Sequence, residues 1–510
     1  MNWYLIGFII YGVLLALLGF WAARKIKGAD DFMVAGRRMP IWLLAFTFAG
    51  LWFGGGTVIG TAGTTLDLGF WSTEWAWGII PDPYGAGLCL ILAGLFYFAT
   101  IRRVGGVTLA DFFAGRFGKG SSLVSALIML FGWVFFIAGE IAVIGKIFNL
   151  ILGWNYNVSI LIGMAIVIAY TIAGGLWSVA ITDFVQMVII LLGITIALPI
   201  SLNAVGGFAE VKAVVPAEMM SFFPYKMEGV GFFGRWIPWI AGWLIVGLGS
   251  IPSPDITQVA QAGASTKAVK KSAFIAGGMY WVFGTVVVIL GLIGFALLAK
   301  GIIPEAALME DPEMIIPVMI KELFPLPLGI LFVSAILAGV MSCADGGILA
   351  ISTLFTKNVI KDVIKPDIED KRLLMWGRIV ILIFAILVVL VSIGFPYVFL
   401  LVMFGFDLLL AGLFIPLTLG IYWKKANQPG AIVGIIVGIF VRVVLSGILE
   451  GWSFETVMYP FEWYVYTLAA PGANLVAMIV VSLATQKSHP PKPLPAKDKE
   501  PEGIERETEA

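Results

Sequence analysis

The sequence predicts an all-α protein that crosses a lipid bilayer many times. Of its 510 residues, 60% are hydrophobic and 13% are charged, whereas soluble domains carry about 25% charged residues. Hydrophobic residues extend along nearly the whole chain, and lysine and arginine recur in alternate connecting segments. Sixty glycines and 25 prolines suit closely packed helices with local breaks. Together these observations predict a polytopic membrane protein.

Hydrophobic stretches of about 20 residues, enough to cross the hydrocarbon layer, recur along the chain. We count thirteen, near residues 3–23, 41–64, 78–100, 122–149, 157–175, 179–201, 234–251, 272–298, 327–354, 375–395, 397–421, 429–449 and 465–485. The first has no basic leader and no clear cleavage site, so we expect it to be retained. We interpret 1–485 as one transmembrane domain, and the proline-rich, charged residues 486–510 predict a disordered tail.

The distribution of basic residues predicts the orientation of the chain. Clusters of lysine and arginine follow the first, third, seventh, ninth and eleventh spans, at 24–38, 102–119, 267–271, 357–372 and 424–425. The fifth connection is too short to carry a signal, and the even-numbered connections are poorer in basic residues for their length or are acidic. Because basic loops remain in the cytoplasm, we expect an outside N-terminus and a cytoplasmic C-terminus in the plasma membrane.

Composition also excludes several classes of function. The net charge is zero, so nothing indicates a nucleic acid partner. The only histidine, His489, lies in the tail, which excludes histidine-based metal or acid–base sites in the membrane part. Cys89 and Cys343 both lie in apolar segments, which argues against a disulfide framework. The sequence has no HExxH motif, nucleophile elbow or phosphate loop, so we predict no enzyme and no cofactor.

The stretch Leu331–Lys357 is long enough to span a bilayer, yet its middle is polar. Gly339, Ser342, Asp345 and Gly346 recur at helical spacing and therefore share one face. Since a carboxylate is costly in lipid, this face must look toward protein or water. It is typical either of a packing seam for another helix or of an ion site, in which hydroxyl and carboxylate oxygens bind a hard cation.

Two spans contain breaks at matching places. Residues 41–64 hold three consecutive glycines, Gly54–Gly56, and residues 234–251 are interrupted by glycine and followed by two prolines. Interrupted spans at corresponding positions of two halves indicate a transporter binding site, although glycines can also serve only tight packing. We place five spans in each half, the second inverted, at 41–201 and 234–421, with helix 3–23 before them and two helices after them at 429–485.

Five motifs, in order along the chain, closely resemble those of the sodium:solute symporter family. They are WFGGGTVIGTAG (Trp52–Gly63), TLADFFAGRFG (Thr108–Gly118), GGLWSVAITDFVQ (Gly174–Gln186), QVAQAGASTKAVKKSAFIAG (Gln258–Gly277) and GVMSCADGGILAISTLFTKNVIKD (Gly339–Asp362). The resemblance implies a LeuT-like fold, with two inverted repeats of five helices among about 13 transmembrane helices, as counted above.

The resemblance also implies a sodium site between the first and eighth core helices. Its expected ligands are the carbonyls of Gly50 and Phe53 and the carbonyl or side-chain atoms of Gly339, Ser342 and Cys343. Many relatives carry serine or threonine where this chain has Cys343, and a thiol is a poor sodium ligand. The site can therefore be weaker, use one ligand fewer, or serve another ion, and Cys343 can also be a packing residue.

Two acidic residues extend this expected ion site. The resemblance places Asp183 on the cytoplasmic path of sodium, and Asp345 lies one helical turn beyond Ser342. Two neighbouring carboxylates either hold a cation or force one of them to be protonated. We expect Asp183 and Asp345 to share a cation or a proton; the alternatives are a helix cap for Asp183 and a water-filled vestibule for Asp345.

The solute site is less well defined by the sequence. Trp52, Trp239 and Trp243 lie near the broken spans, and their aromatic faces suit apolar or cationic groups. Interfacial tryptophan belts explain such residues equally well. Asp407 lies in an apolar span, where it either contacts solute or pairs within the bundle.

The function these features imply is sodium-coupled symport of a small organic solute into the cell by alternating access. Its partners are then the solute, sodium and the lipid bilayer. A proton-coupled transporter on the same fold is an alternative, which Cys343 and the buried acids keep open. A transporter-like sensor is a weaker alternative, because the short tail carries no evident signalling domain.

Overall fold

A computed structural model of the protein describes residues 3–24, 26, 28–70, 78–226, 229–304, 311–458 and 463–494. No β-strand occurs in these ranges. The prediction of an all-α polytopic membrane protein is confirmed. Of the predicted tail, residues 495–510 lie outside the described ranges, and its start contacts the bundle where Arg116 donates a hydrogen bond to the carbonyl of Lys492.

The α-helices are numbered in chain order. The first eleven are α1 (Trp3–Ala23), α2 (Ala29–Val34), α3 (Ile41–Gly50), α4 (Thr61–Leu68), α5 (Ala86–Leu92), α6 (Phe98–Val104), α7 (Leu109–Arg116), α8 (Lys119–Leu152), α9 (Tyr156–Val205), α10 (Phe208–Val214) and α11 (Phe232–Gly247). The others are α12 (Pro254–Ala262), α13 (Thr266–Ala299), α14 (Ile315–Leu323), α15 (Leu326–Leu354), α16 (Asp370–Gly394), α17 (Val398–Leu409), α18 (Ile415–Tyr422), α19 (Gln428–Ile439), α20 (Ser446–Glu450), α21 (Phe454–Met458) and α22 (Trp463–Ala484).

Ten helical segments among the described residues are long and apolar enough to cross a membrane. Several join neighbouring α-helices through π-helical turns, as between α17 and α18. The other three predicted spans are shorter or broken: 41–64 is divided between α3 and α4, 157–175 is the first part of α9, and 234–251 includes α11, which has 16 residues. A count of about thirteen is therefore consistent with the structure.

Gly175 separates the two spans that α9 contains. Its φ of 48° and ψ of −153° interrupt the helix. A side chain at this position would lie 2.6 Å from the carbonyl oxygen of Phe32 in the short helix α2. Glycine is thus required both for the backbone conformation and for the close approach of α2.

Both predicted breaks are present. Helix α3 ends at Gly50, and the chain turns over 51–54 before helical structure resumes in the π-helical segment Gly56–Gly60, which leads into α4. Helix α11 ends at Gly247, and α12 begins at Pro254. Glycine weakens a helix interior by about 1 kcal/mol relative to alanine, and proline favours the first turn of a new helix, so both sequences favour interruption.

The broken helices lie against the most buried helices of the bundle. In α8 and in the α17–α18 segment, 83% of the most apolar window is buried, compared with 22% in α1 and 28% in α22. The core therefore consists of α8, α15 and α17 around the two breaks, and the peripheral helices present apolar side chains to lipid. This arrangement places the polar face of α15 inside protein.

Candidate functional site

The break after α3 lies directly against the polar face of α15. In a continuous helix the N–H of Gly54 would donate to the carbonyl oxygen of Gly50. Here it donates to Trp52 O instead (2.8 Å), so Gly50 O does not receive this helical hydrogen bond. Gly50 O accepts instead from Ser342 Oγ (2.9 Å) and from the Cys343 thiol (3.4 Å). The interruption thus turns a backbone carbonyl toward side chains of α15.

Gly339 allows α15 to approach the other side of the break. A side chain at Gly339 would lie 2.8 Å from Phe53 O and 3.3 Å from the Cα atom of Gly54. The five residues expected at the sodium site, Gly50, Phe53, Gly339, Ser342 and Cys343, are therefore neighbours in the structure. Carbonyl and hydroxyl oxygens of this kind are ligands for hard cations.

Asp183 of α9 completes the group of oxygens. Its Oδ1 atom is 2.5 Å from Ser342 Oγ, and the side chain is fully buried. Ser342 has only one hydroxyl proton, so it cannot donate to Gly50 O and to Asp183 at the same time. Asp183 Oδ2 has no hydrogen-bond partner within the described chain. With Asp183 ionised, three oxygens meet around the Ser342 proton and the weak thiol donor of Cys343, an arrangement that a bound cation would satisfy.

Asp345 lies beside this group, one turn further along α15, and is also fully buried. Ser342, one helical turn before Asp345, contacts Asp183, so both carboxylates belong to the same buried region. Gly346, next to Asp345, admits Leu51 from the break: a side chain there would lie 2.4 Å from a methyl group of Leu51. The polar face of α15 thus serves both as a packing seam and as the lining of a polar site.

Three further buried acids surround the breaks. Glu140 of α8 accepts the backbone N–H groups of Gly55 (2.6 Å) and Gly56 (3.0 Å). Asp82 accepts the hydroxyl of Thr57 (2.7 Å), and Asp255, at the start of α12, accepts the indole N–H of Trp52 (2.8 Å). None of these acids has a role predicted from the sequence. The signal was present, since a carboxylate within an apolar span indicates function.

The four residues expected to contact solute lie in three different places. Trp52 is buried between the breaks, with its ring 5.4 Å from that of Phe406. Trp239 and Trp243 are partly buried in a separate aromatic cluster around Phe222, and no ring contact between described residues joins them to Trp52.

Asp407 is held within the bundle. It forms an ion pair with Arg442, accepts a hydrogen bond from Thr467 (3.0 Å), and is 2% exposed. This geometry favours the second sequence interpretation, in which Asp407 pairs within the protein.

Two polar networks join helices at opposite ends of the spans. At one end, Lys146 of α8 pairs with Asp311 (2.7 Å) and Glu313 (2.5 Å), and Glu313 accepts the N–H groups of Val398 and Phe399. At the other end, the side chain and carbonyl of Gln261 accept hydrogen bonds from Arg37 (3.1 Å) and Arg102 (2.9 Å).

Known proteins resemble this chain over most of its length. The human high affinity choline transporter 1 is 28% identical over 456 residues, covering 86% of this chain and 76% of that protein. The osmoregulated proline transporter OpuE of Bacillus subtilis (strain 168) is 30% identical over 501 residues, covering 94% of each.

Solved structures confirm the predicted LeuT-like fold. A Na+-coupled sialic acid symporter in a substrate-bound outward-open state matches with a TM-score of 0.79 at 20% identity, covering 94% of this chain and 98% of that one. Mhp1, a nucleobase-cation-symport-1 family transporter, matches with a TM-score of 0.57 at 16% identity, covering 90% and 95%. The family model "Sodium:solute symporter family" matches residues 32–438. The chain therefore belongs to the sodium:solute symporter family.

Proposed function

We propose that the oxygens gathered around Ser342 bind the sodium ion that drives transport by this protein. Membership of the family makes the protein a sodium-coupled solute symporter and not an enzyme. The position of the ion rests on one observation: the Ser342 hydroxyl faces both Gly50 O (2.9 Å) and Asp183 (2.5 Å) with a single proton to donate. Sodium would satisfy all three oxygens, with Phe53 O and Gly339 completing the site.

The ion would act by joining elements that otherwise separate. Gly50 and Phe53 belong to the break after α3, Ser342 belongs to α15, and Asp183 belongs to α9. A cation shared by these three elements stabilises the state in which they are close, and its release lets them part. In our proposal the repeats 41–201 and 234–421 then move relative to each other, and the networks at Glu313 and Gln261 open alternately.

A second ion position is part of the proposal. Asp183 and Asp345 are both fully buried, and Ser342, one helical turn before Asp345, contacts Asp183. Two carboxylates in one buried region require a cation or a shared proton. We propose that they hold a second cation on its path to the inside. In the orientation that we expect from the basic connections, with a cytoplasmic C-terminus in the plasma membrane, this is the cytoplasmic branch of the path.

The solute is a small organic molecule, and we propose that it binds beside Trp52 between the two breaks. Trp52 contacts residues of both broken regions, because its indole N–H bonds Asp255 and its own backbone is in the first break. The aromatic cluster of Trp239 and Trp243 would then lie on the route to the site. Relatives carry names of transporters for choline, a cation, and for proline, a zwitterion, so the family alone leaves the charge of the solute open.

The sodium site is tested by Ser342→Ala. Loss of one hydrogen-bonding group to a charged partner costs about 1.5–3 kcal/mol, so sodium should bind about 10- to 100-fold more weakly. The measurement is the sodium concentration that half-saturates the thermal stabilisation of the purified protein. Ser352→Ala is the matched control, since Ser352 is a buried serine of the same helix that donates to Gly377 O (2.7 Å) away from the site.

If Ser342→Ala and Ser352→Ala shift the sodium dependence equally, the site is not at Ser342. Proton coupling is examined separately, by measuring solute uptake into proteoliposomes with sodium replaced by potassium at fixed pH. Uptake that persists in potassium would contradict sodium as the coupling ion.

A further inference from the structure

We infer that the solute is a small organic cation, bound between the two helix breaks by the carboxylates of Asp82 and its neighbours Glu140 and Asp255. This inference rests on the proposed function, because it assumes that solute binds at the breaks. It adds the charge of the solute and the residues that select it. The observations that carry it are the partners of these three acids and the aromatic rings among them.

The first observation concerns the N-terminal ends of the half-helices after the breaks. Such ends carry partial positive charge and unpaired N–H groups, and in broken-helix transporters they receive anionic groups of the substrate. Here Glu140 already accepts the N–H groups of Gly55 and Gly56 at the first break. A carboxylate of the protein thus occupies the position at which the carboxylate of an amino acid solute would bind.

The second break repeats this arrangement. Asp255 is in the first turn of α12, where its carboxylate accepts the N–H of Ile256 (2.6 Å) as well as the indole N–H of Trp52. Both half-helices after a break are therefore capped by an acid of the protein itself. A solute that needed a helix terminus for its own carboxylate would have to displace one of these buried acids.

The buried charged groups around the breaks are acidic. Asp82, Glu140 and Asp255 are each at most 4% exposed. The ion pairs inside the described bundle are elsewhere: Lys146 faces Asp311 and Glu313 beyond the first break, and Arg442 faces Asp407. No ion pair between described residues reaches the three acids. Buried negative charge without a basic partner is costly, and a positively charged solute offsets it.

Asp82 supplies an oxygen that points to a ligand. Its Oδ2 atom accepts the hydroxyl of Thr57, which also lies 2.8 Å from the hydroxyl of Tyr280. Its Oδ1 atom is buried and has no hydrogen-bond partner within the described ranges. Buried carboxylate oxygens are normally paired, so this atom is available to a cationic group beside the first break.

Aromatic rings complete the chemistry of the site. Phe53 and Tyr280 form an edge-to-face pair with centroids 5.1 Å apart, and Trp52 and Phe406 form another at 5.4 Å. Trp52 and Phe53 lie within the first break, Trp52 bonds Asp255, and Tyr280 is linked to Asp82 through the Thr57 hydroxyl. Ring faces attract ammonium and quaternary ammonium groups, most strongly when the site is desolvated. Acids and rings together select a cation with an apolar surface.

A matched pair of solutes tests the inference on the unaltered protein. Choline and glycine betaine share a trimethylammonium group, but only betaine carries a carboxylate. In proteoliposomes with an inward sodium gradient, we expect uptake of choline or tetramethylammonium. The apparent affinity for betaine and proline should be at least about 10-fold weaker, because a carboxylate of the protein already occupies the helix terminus that their carboxylate would need. Thermal stabilisation by each solute, with and without sodium, gives the same ranking independently of transport.

Asp82→Asn tests the residue assignment. Asparagine retains an acceptor for Thr57 but removes the charge, so the apparent affinity for the cation should fall about 10-fold or more. Sodium-dependent stabilisation should be unchanged, which also shows that the variant is folded. Glu210→Gln removes an exposed acid that pairs with Lys300 far from the breaks, and it should leave cation affinity unchanged.

The outcomes separate this inference from the sodium site. Sodium-dependent uptake of betaine or proline, with no uptake or binding of either cation, would overturn the inference and leave the sodium site in place. Unchanged cation affinity in Asp82→Asn would overturn the role of Asp82. If neither sodium nor any of the four solutes stabilises or enters, the proposed function fails, and the inference fails with it.

Discussion

At the scale of single residues, Cys343 is the position at which the proposed sodium site departs from the pattern that the family resemblance implies. Its thiol is buried and lies 3.4 Å from Gly50 O, next to the Ser342 hydroxyl. Sulfur is a soft ligand and sodium a hard ion, so the thiol contributes little where a hydroxyl would bind. Replacing this sulfur with oxygen would therefore give the proposed sodium site one more hard ligand.

We predict that Cys343→Ser strengthens sodium binding. The added hydroxyl offers a hard oxygen at a net value of about 0.5–1.5 kcal/mol, so the half-saturating sodium concentration should fall roughly three- to tenfold. The measurement is the sodium titration of thermal stabilisation. Cys89→Ser is the control, because Cys89 is equally buried but lies in α5, away from the site. Equal effects of both substitutions would show that residue 343 takes no part in ion binding.

At the scale of elements, the sequence predicted where helices break but not what caps them. Gly54–Gly56 and the prolines after α11 are local signals, and both breaks are where these signals place them. Glu140 could not be assigned, because Gly55 is 85 residues away. Asp255 bonds the N–H of its neighbour Ile256, but its contact with the first break is to Trp52, 203 residues away. Such contacts depend on how α8, α12 and the broken helix pack together. The residues next to each acid in the sequence do not indicate this packing.

The aromatic residues show the same limit. Trp52, Trp239 and Trp243 are alike in the sequence, since each lies near a break. In the structure only Trp52 lies between the breaks, while Trp239 and Trp243 contact Phe222 and each other. Residue type and spacing identify candidates for a site, and the direction in which a helix face points then decides among them.

The network around Glu313 is the element whose opening we expect to control access at one end. Glu313 joins Lys146 of α8 to the first N–H groups of α17. Its backbone also lies against α4, because a side chain at Gly63 would be 2.5 Å from the Cα atom of Glu313. Glu313 thus connects three helices, α8 and α17 through its carboxylate and α4 through its backbone.

We predict that Glu313→Gln loosens this closure. Glutamine can accept only through its carbonyl oxygen and carries no charge for Lys146, so the start of α17 should open more often. Amide hydrogen exchange at Val398 and Phe399 should become about 10-fold faster, corresponding to about 1.4 kcal/mol. Glu210→Gln, which removes an exposed pair, should change neither amide. Unchanged exchange in Glu313→Gln would show that other contacts keep this end closed.

At the scale of the whole molecule, the buried acids determine how much charge moves with each solute. In the proposed mechanism Gly50, Ser342 and Asp183 take one sodium, and the acids at the breaks take one organic cation. Each transport cycle then carries at least two positive charges inward. Since one charge gains about 2.3 kcal/mol per 100 mV of membrane potential, two charges gain about 4.6 kcal/mol, and uptake should depend steeply on potential.

We predict a charge-to-solute ratio of two if the Ser342 site alone binds sodium, and of three if Asp183 and Asp345 hold a second cation. Proteoliposomes with potassium gradients and valinomycin set the potential, and the potential at which net flux of the labelled solute reverses gives the ratio. Asp345→Asn discriminates between the two cases, because it removes a carboxylate from the second position but none from the first. A drop from three to two would assign the second cation to this pair, whereas a ratio unchanged by the substitution would contradict that assignment. A wild-type ratio of one would contradict a cationic solute moving together with sodium.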